Sequence, residues 1–278
     1  MIPGEVSVVI RVRNEGRTLR LVLAALARQD PPPAEIIVVD NASSDDTRGL
    51  AAAAGARILT ISTDEFTYGR ALNLGIREAR GEFICILSAH SMPIGSTFLR
   101  NAIAPFEDPA VAAVRCLSVT NRSETEGWTS ARPLEWPADI DTVIAEAPVN
   151  CAAMIRRSVW ELIPYDESLP AVEDKFWALA VLKSGHRLVK SDAPYLYLHD
   201  LTLLAKIRKM NRERVAYFRM TGRRFESPPA RLGRLLENLL YRIPKRALRT
   251  AFYETALYAC QKSIPLQALR KAKTGSCL

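Results

Sequence analysis

His90, Asp40, Glu15 and the pair Glu173-Asp174 are the residues of this chain whose types and places best suit chemistry. Three of these positions close apolar runs. Val6 to Arg13 (VSVVIRVR) ends at Asn14-Glu15-Gly16, Glu35 to Val39 (EIIVV) ends at Asp40-Asn41, and Phe83 to Leu87 (FICIL) ends at Ser88-Ala89-His90-Ser91. Short apolar runs of this kind suit strands covered on both faces. Open α/β sheets place their chemistry at the carboxyl ends of such strands. The acidic pair comes later and opens an amphipathic helix that runs through Leu182 and closes at Gly185. A helix N-terminus favours the ionised form of a carboxylate. His199-Asp200 follows one more apolar run, Pro194 to Leu198 (PYLYL).

The elements between these points must hold them. Leu19, Leu23, Leu26 and Ala27 recur at helical spacing up to about Arg28, and Pro31-Pro32-Pro33 makes a rigid connection. Ala42-Ser43-Ser44-Asp45-Asp46-Thr47 is turn and capping chemistry before an Ala-rich helix. Ala56 to Ile61 is a strand, and Ala71 to Arg80 a helix with Leu72 and Ile76 on one face, stopped at Gly81. Strands alternating with helices predict βαβ units. Right-handed crossovers then bring Glu15, Asp40 and His90 to one cleft. A helix from Ser96 to Pro105, a strand from Val111 to Val119 and a strand or bend from Val149 to Ile155 follow. Residues 120–148, polar and bearing Trp128 and Trp136, read either as a lid or binding loop or as a surface excursion packed by its own tryptophans.

With 278 residues, 48% of them hydrophobic, the chain is one large domain or a domain with an appendage. Its five cysteines form no CxxC pair and no zinc spacing, so reduced thiols and a cytoplasmic setting are expected. The N-terminus enters a strand directly, so no signal peptide is expected, and no apolar run is long enough to span a bilayer. From Asp200 onward 18 Lys and Arg face 5 acidic residues, a surplus of 13, so in a chain of formal charge +8 the first 199 residues carry a net −5. Helices are expected from about 201 to 221 and from about 230 to 261, broken at Pro228-Pro229 and Pro244. That basic tail reads as a surface resting on anionic lipid, or as a helical appendage or dimer surface with solvated charges. Little aromatic interleaving and no recognised module argue against nucleic acid as a partner.

Taken in order, SVVIRVRNE, VVDNASSDDT, YGRALNLGIREARGEFICILSAHSMP and NCAAMIRRSVWELIPYDESLPAVEDKFW, followed by the stretch from Gly185 to His199, resemble the inverting family 2 glycosyltransferases of the GT-A fold. The resemblance spans about residues 5 to 200. It implies an α/β fold: a Rossmann-like, mixed and mainly parallel sheet flanked by helices over 1–200, with a basic helical extension over 201–278. It implies transfer of a sugar from a UDP-, dTDP- or GDP-sugar to a glycan or lipid-linked acceptor, as in cell-surface polysaccharide synthesis. An enzyme of that kind works in the cytoplasm or at the inner face of the membrane.

The same resemblance assigns residues. Val12, Arg13, Glu15, Asp40 and Asn41 would hold the nucleobase and ribose, with Asn41 standing where many members have a second Asp. Arg70 and Asn73 match a Gly-Arg-x-x-Asn segment that approaches the nucleotide; an ordinary solvated helix position also accounts for Arg70. Ser88, Ala89 and His90 occupy the slot of the family's Asp-x-Asp, whose carboxylates hold Mn²⁺ or Mg²⁺ against the diphosphate. Either His90 and His199 ligate the cation through imidazole, or the reaction is metal-independent and a charged His90 meets the phosphates. Asp174 would be the base that takes the acceptor proton and Glu173 a positioning or acceptor-binding group. Helix capping is the plainer role for both. Trp177 is a core residue or the floor of the acceptor sugar, and Arg156-Arg157 are solvated charge or phosphate contacts. A catalytically silent domain that binds a nucleotide or glycan is the alternative. A sugar-nucleotide pyrophosphorylase would want a Gly-rich basic loop where Val12 to Gly16 stand.

Overall fold

The first strand, β1 (Val6–Val12), is the hub of the sheet. It pairs in parallel with β2 (Glu35–Asp40) on one side and β4 (Phe83–Ser88) on the other, and β3 (Arg57–Thr60) extends β2. Helices α1 (Gly16–Leu26), α2 (Thr47–Ala53) and α3 (Tyr68–Glu78) make the crossovers. This computed structural model describes residues 6–119 and 133–198 and a few positions between Lys209 and Gly222. Backbone contacts group Met1–Leu169 with Glu173–His199 as one compact unit and Pro170–Val172 with Asp200–Leu278 as a second. The helices expected beyond 200 fall almost wholly outside the described residues.

Beyond β4 the chain runs through β5 (Ser91–Pro93), α4 (Phe98–Ile103), a 3-10 turn at Ala104–Glu107, β6 (Val111–Ser118), α5 (Ile140–Glu146), β7 (Ala152–Arg156), α6 (Arg157–Leu162), α7 (Glu173–Lys183) and β8 (Arg187–Tyr197). The strand order is β3-β2-β1-β4-β7-β6-β8-β5. β7 runs antiparallel to both β4 and β6, β8 is parallel to β6, and β5 is antiparallel to β8. The sheet is therefore mixed, as expected, with parallel pairing in β3-β2-β1-β4 and between β6 and β8.

Alternation along the strands sorts the core into two layers. Val8, Ile10, Cys85 and Leu87 join Leu19, Leu23, Leu26 and Phe98 on one face. Val9, Ile84 and Ile86 join Leu72, Ile76, Val181 and Leu182 on the other. Both faces are covered, which is why these strands read as unbroken apolar runs. Each such side chain contributes about 1.5–3 kcal/mol on burial. Gly75 lets α3 lie close to the sheet, since a Cβ there would sit 2.5 Å from Val9 Cγ1.

Four elements differ from expectation. Ser91–Pro93 is a strand, because its partner β8 is supplied from about a hundred residues away in the chain. β8 begins at Arg187 rather than Pro194, and its pairing with β6 carries register shifts that obscure the alternation. The stretch read as a loop over 120–148 contains α5, whose first turn is capped by Asp139 accepting the Thr142 N–H at 2.9 Å. Trp136 is exposed beneath the Lys183 ammonium, and Trp128 lies outside the described residues. Finally, α3 starts at Tyr68, three residues early, because Thr67 caps it by accepting from the Arg70 N–H.

Candidate active site

The carboxyl edge of β1, β2 and β4 is held in register. Val12 lies opposite Asp40 and Arg11 opposite Ser88. The loops leaving β1 and β2 are bonded to each other. Asn14 N–H donates to Ser43 Oγ at 2.8 Å, Asn14 Oδ1 accepts from Ser44 N–H at 2.7 Å, and Asp45 accepts from Gly16 N–H at 3.1 Å. These bonds hold Asn14 at φ 52 and Ala42 at φ 48, a left-handed conformation that costs an L-residue about 1–2 kcal/mol. Cys85 and Cys116 are buried thiols, and Cys151 Sγ lies 3.2 Å from the Tyr195 hydroxyl.

Asp40 is fully buried at this edge. Its Oδ2 accepts from Ser43 N–H at 3.2 Å and lies 3.8 Å from Arg48 Nε. Its Oδ1 and the Oδ1 of neighbouring Asn41 are buried and have no hydrogen-bond partner among the described residues. A buried acceptor left alone costs about 1–3 kcal/mol. Two in succession at a strand end form a cradle for donors brought by a ligand.

One step along the edge, His90 Nδ1 is 2.6 Å from Glu15 Oε2. The Tyr197 ring meets the imidazole edge to face at 4.8 Å. Leu198 N–H donates to the His90 carbonyl at 2.7 Å, so the end of β8 is tied to the end of β4. His199 itself lies outside the described residues. Glu15, expected beside the nucleobase, instead faces His90. Ala89 is fully buried and Ser88 nearly so, with Ser88 N–H bonded to the Cys151 carbonyl, while Arg13 is exposed.

Glu173 and Asp174 open α7, as expected. Glu173 is buried, and Asn150 Nδ2 donates to its Oε1 at 3.2 Å. Asp174 is half-buried and accepts from the Asn150 and Lys175 N–H groups at 3.4 and 2.9 Å. Arg11, a cation inside a buried strand, donates to the Asn150 carbonyl at 2.9 Å, lies 3.9 Å from Glu173 and stands over the Tyr68 ring. Lys175 is also buried, and its ammonium donates to the Ala147 and Pro148 carbonyls.

Burial, and then the charge of Asp174, raises Glu173 from 4.5 to about 7, against the opposing effects of Arg11 and Asn150. The sign is that of a raised acid. Folded Glu173 holds its proton to about pH 7, whereas the unfolded chain releases it near 4.5, so this residue's contribution to stability falls as pH rises across that window. A Glu173→Gln variant is therefore expected to be more stable than wild type at pH 8, the gap closing toward pH 5. Urea unfolding at the two pH values checks this, and an unchanged gap would refute it.

Several of the remaining expected residues are engaged within the protein. Asn73 is buried, and its amide donates to the Tyr165 carbonyl and Glu167 while accepting from Trp160 Nε1 and Tyr165 N–H. This corrects the nucleotide contact expected of Asn73: its polar atoms clamp the 165–167 loop onto α3. Arg70 is exposed, with long ion pairs to Glu65 and Glu167. Arg156 is bonded to Glu82 and Phe106, Arg157 to Glu161 and Ala79, and neither is merely solvated. Trp177 is core, donating to the Ile163 carbonyl at 2.6 Å beside Tyr165. Arg11 and Asn150 were missed. A charge in the third-last place of a strand otherwise covered on both faces was the signal for Arg11; Asn150 carried none beyond preceding a strand.

The donor set tests for a cation. Ser88 and Ala89 offer no carboxylate, and among the described residues no three His, Cys, Asp or Glu side chains group to hold a metal ion. His90 and Glu15 supply one imidazole and one carboxylate together. That complement fits a divalent cation shared with substrate phosphates, which needs only one or two protein donors, and does not fit a cage built of protein alone. A carboxylate behind a ligating imidazole is the usual outer-shell arrangement.

A mixed sheet of this order, with acidic residues at one edge, is the GT-A fold of nucleotide-sugar transferases. Residues 7–163, more than half of the chain, match Glycosyl transferase family 2, and the chain belongs to that family. It is 25% identical over 194 residues to the O-antigen chain rhamnosyltransferase WbaN of Salmonella anatum, a match covering 64% of this chain and 61% of that protein. The chain thus spans about three fifths of that relative's length. In fold it is similar to the mannosyltransferase PcManGT of Pyrobaculum calidifontis, solved with GDP-Man and Mn²⁺ (TM-score 0.60, 21% identity, 98% of this chain and 79% of that one). It is likewise similar to S. aureus TarS residues 1–349 (TM-score 0.58, 16% identity, 98% and 87%). Glucosyl-3-phosphoglycerate synthase of Mycobacterium tuberculosis shares the fold too (TM-score 0.58, 16% identity, 78% and 80%). Among the described residues no helix is long and apolar enough to cross a membrane.

Proposed function

We propose that the chain is an inverting hexosyltransferase that moves a sugar from a UDP-, dTDP- or GDP-sugar to a glycan or lipid-linked acceptor in cell-surface polysaccharide synthesis. The observation that carries the reading is the pair of buried, unpartnered acceptors on Asp40 and Asn41, beside the Glu15–His90 pair at the same sheet edge. Nucleobase and ribose donors satisfy Asp40 and Asn41, with Val12 and Arg13 alongside and Arg70 approaching from α3. Ser88, Ala89 and His90 face the diphosphate. His90 with Glu15, and His199 after β8, would hold Mn²⁺ or Mg²⁺, which would neutralise the leaving group's charge.

Asp174 accepts the proton of the acceptor hydroxyl as its oxygen bonds to the anomeric carbon. The bond from that carbon to the phosphate oxygen breaks on the opposite face, the nucleoside diphosphate leaves with the electron pair, and the configuration inverts. Residues 1–200 form the catalytic domain in this reading. The basic surplus of 201–278 supports contact with an anionic membrane surface that presents a lipid-linked acceptor.

Calorimetry with UDP, GDP and dTDP tests the donor side. One of the three is expected to bind, and Asp40→Ala to weaken it about 10- to 100-fold, the equivalent of one charge-assisted hydrogen bond. Equal affinity in a variant that melts like wild type would remove Asp40 from the site.

A further inference from the structure

Asn150 makes four hydrogen bonds, and every one goes to a group around the acidic pair. Its carbonyl accepts from Arg11 Nη2 at 2.9 Å and its N–H donates to Asp174 Oδ2 at 3.4 Å. Its Nδ2 donates to Glu173 Oε1 at 3.2 Å and its Oδ1 accepts from the Tyr165 hydroxyl at 3.0 Å. Asn150, Tyr165 and Glu173 are all buried, at 3%, 3% and 5% exposure. The charged and titratable groups around the pair are Arg11 from β1, the Lys175 ammonium from α7, the two carboxylates themselves and, on the far side of Asn150, the neutral Tyr165 phenol.

Consecutive carboxylates at a helix start repel; within α7 the Lys175 N–H holds Asp174 Oδ1 at 2.9 Å, and the bonds from Asn150 come from outside the helix. Here one residue grips both: the side chain takes Glu173 and the backbone takes Asp174. The grip is itself fixed, because the Tyr165 hydroxyl occupies the amide oxygen and so turns the amide nitrogen toward Glu173. Arg11 anchors the same residue through its carbonyl, which ties the acidic pair to β1.

We propose that Asn150 is a positioning residue for the reaction, holding Glu173 aside so that Asp174 is the carboxylate left to take the acceptor proton, with Tyr165 locking the amide. This rests on the reading of Asp174 as the base. Misplacing a reacting group by about 1 Å costs up to about 100-fold in rate, and Asn150→Ala removes the side-chain half of the grip.

The test uses the full chain, the donor selected from UDP-, GDP- and dTDP-sugars by release of the nucleoside diphosphate, and ¹³C-carboxyl glutamate labelling. Asn150→Ala is expected to lower kcat by about 30- to 100-fold with donor KM changed less than about threefold, and to move the Glu173 resonance to a higher titration point. Tyr165→Phe keeps the packing and is expected to lower kcat less, in the same direction. Wild-type kcat in Asn150→Ala, a loss confined to KM, or an unshifted Glu173 titration overturns the proposal. If Asn150→Ala does not fold, Tyr165→Phe decides alone, and wild-type kcat there overturns it. The two readings fail separately: transfer retained in Asp174→Asn sinks the base assignment, whereas transfer lost in Asp174→Asn but intact in Asn150→Ala sinks only the role of Asn150.

Discussion

Asp174→Asn is expected to bind the nucleoside diphosphate like wild type and to transfer sugar about 10²- to 10⁴-fold more slowly, the span that a positioned general base contributes. The geometry separates it from its neighbour. Glu173 is buried, with its Oε1 taken by Asn150 Nδ2 at 3.2 Å, so it is covered where an acceptor hydroxyl would have to reach it. Asp174 is half-buried and accepts only from the backbone N–H groups of Asn150 and Lys175 among the described residues, which leaves its carboxylate within reach of an acceptor. Asparagine preserves shape and removes the basic oxygen. Calorimetry for binding and single-turnover product formation for chemistry make the comparison, and near-normal transfer would move the base elsewhere.

The next largest effect is expected on the diphosphate side. His90→Ala should lower donor turnover about 10²- to 10³-fold, the loss seen when one group that stabilises developing charge is removed. Glu15 Oε2, 2.6 Å from Nδ1, is the reason the imidazole points where it does. A chelator arm separates the two roles weighed for His90. Turnover that falls with chelation and returns with Mn²⁺ or Mg²⁺ supports His90 as part of a shared cation site. Turnover indifferent to chelation and add-back, yet lost in His90→Ala, leaves imidazole and diphosphate in direct contact and removes the metal.

Burial decides how much of this was legible in the residues. β1, β2 and β4 announce themselves because helices cover both faces, so every position is apolar and the run ends abruptly where polar work begins. Asp40 and His90 stand out for the same reason, and the acidic pair stands out instead as the opening of α7. β5 is not, since three residues ending in proline acquire strand geometry only from β8. Nor is the true length of β8, whose first half alternates charge with apolar residues and shifts register against β6. Asn73 misled because a buried amide that clamps a loop and an amide that reads a nucleotide look alike in one dimension. Arg11 and Asn150 required the β4–β7 pairing, which brings the segment before β7 back to the end of β1, so that Arg11 meets a residue 139 positions further on.

That pairing has an architectural consequence. The sheet is built as two blocks side by side: β3-β2-β1-β4, all from the first ninety residues, and β7-β6-β8-β5, all from the chain beyond His90. Asp40, Glu15 and His90 belong to the first block and Asp174 follows β7 in the second, so the proposed function gives the donor and the acceptor largely separate lengths of chain. A lineage could exchange its later block and change what it glycosylates while keeping its donor. The bond from Arg11 to the main-chain carbonyl of residue 150 is one stitch across that join, beside the β4–β7 ladder; it asks for arginine at position 11 in the first block and for no particular side chain at position 150 in the second.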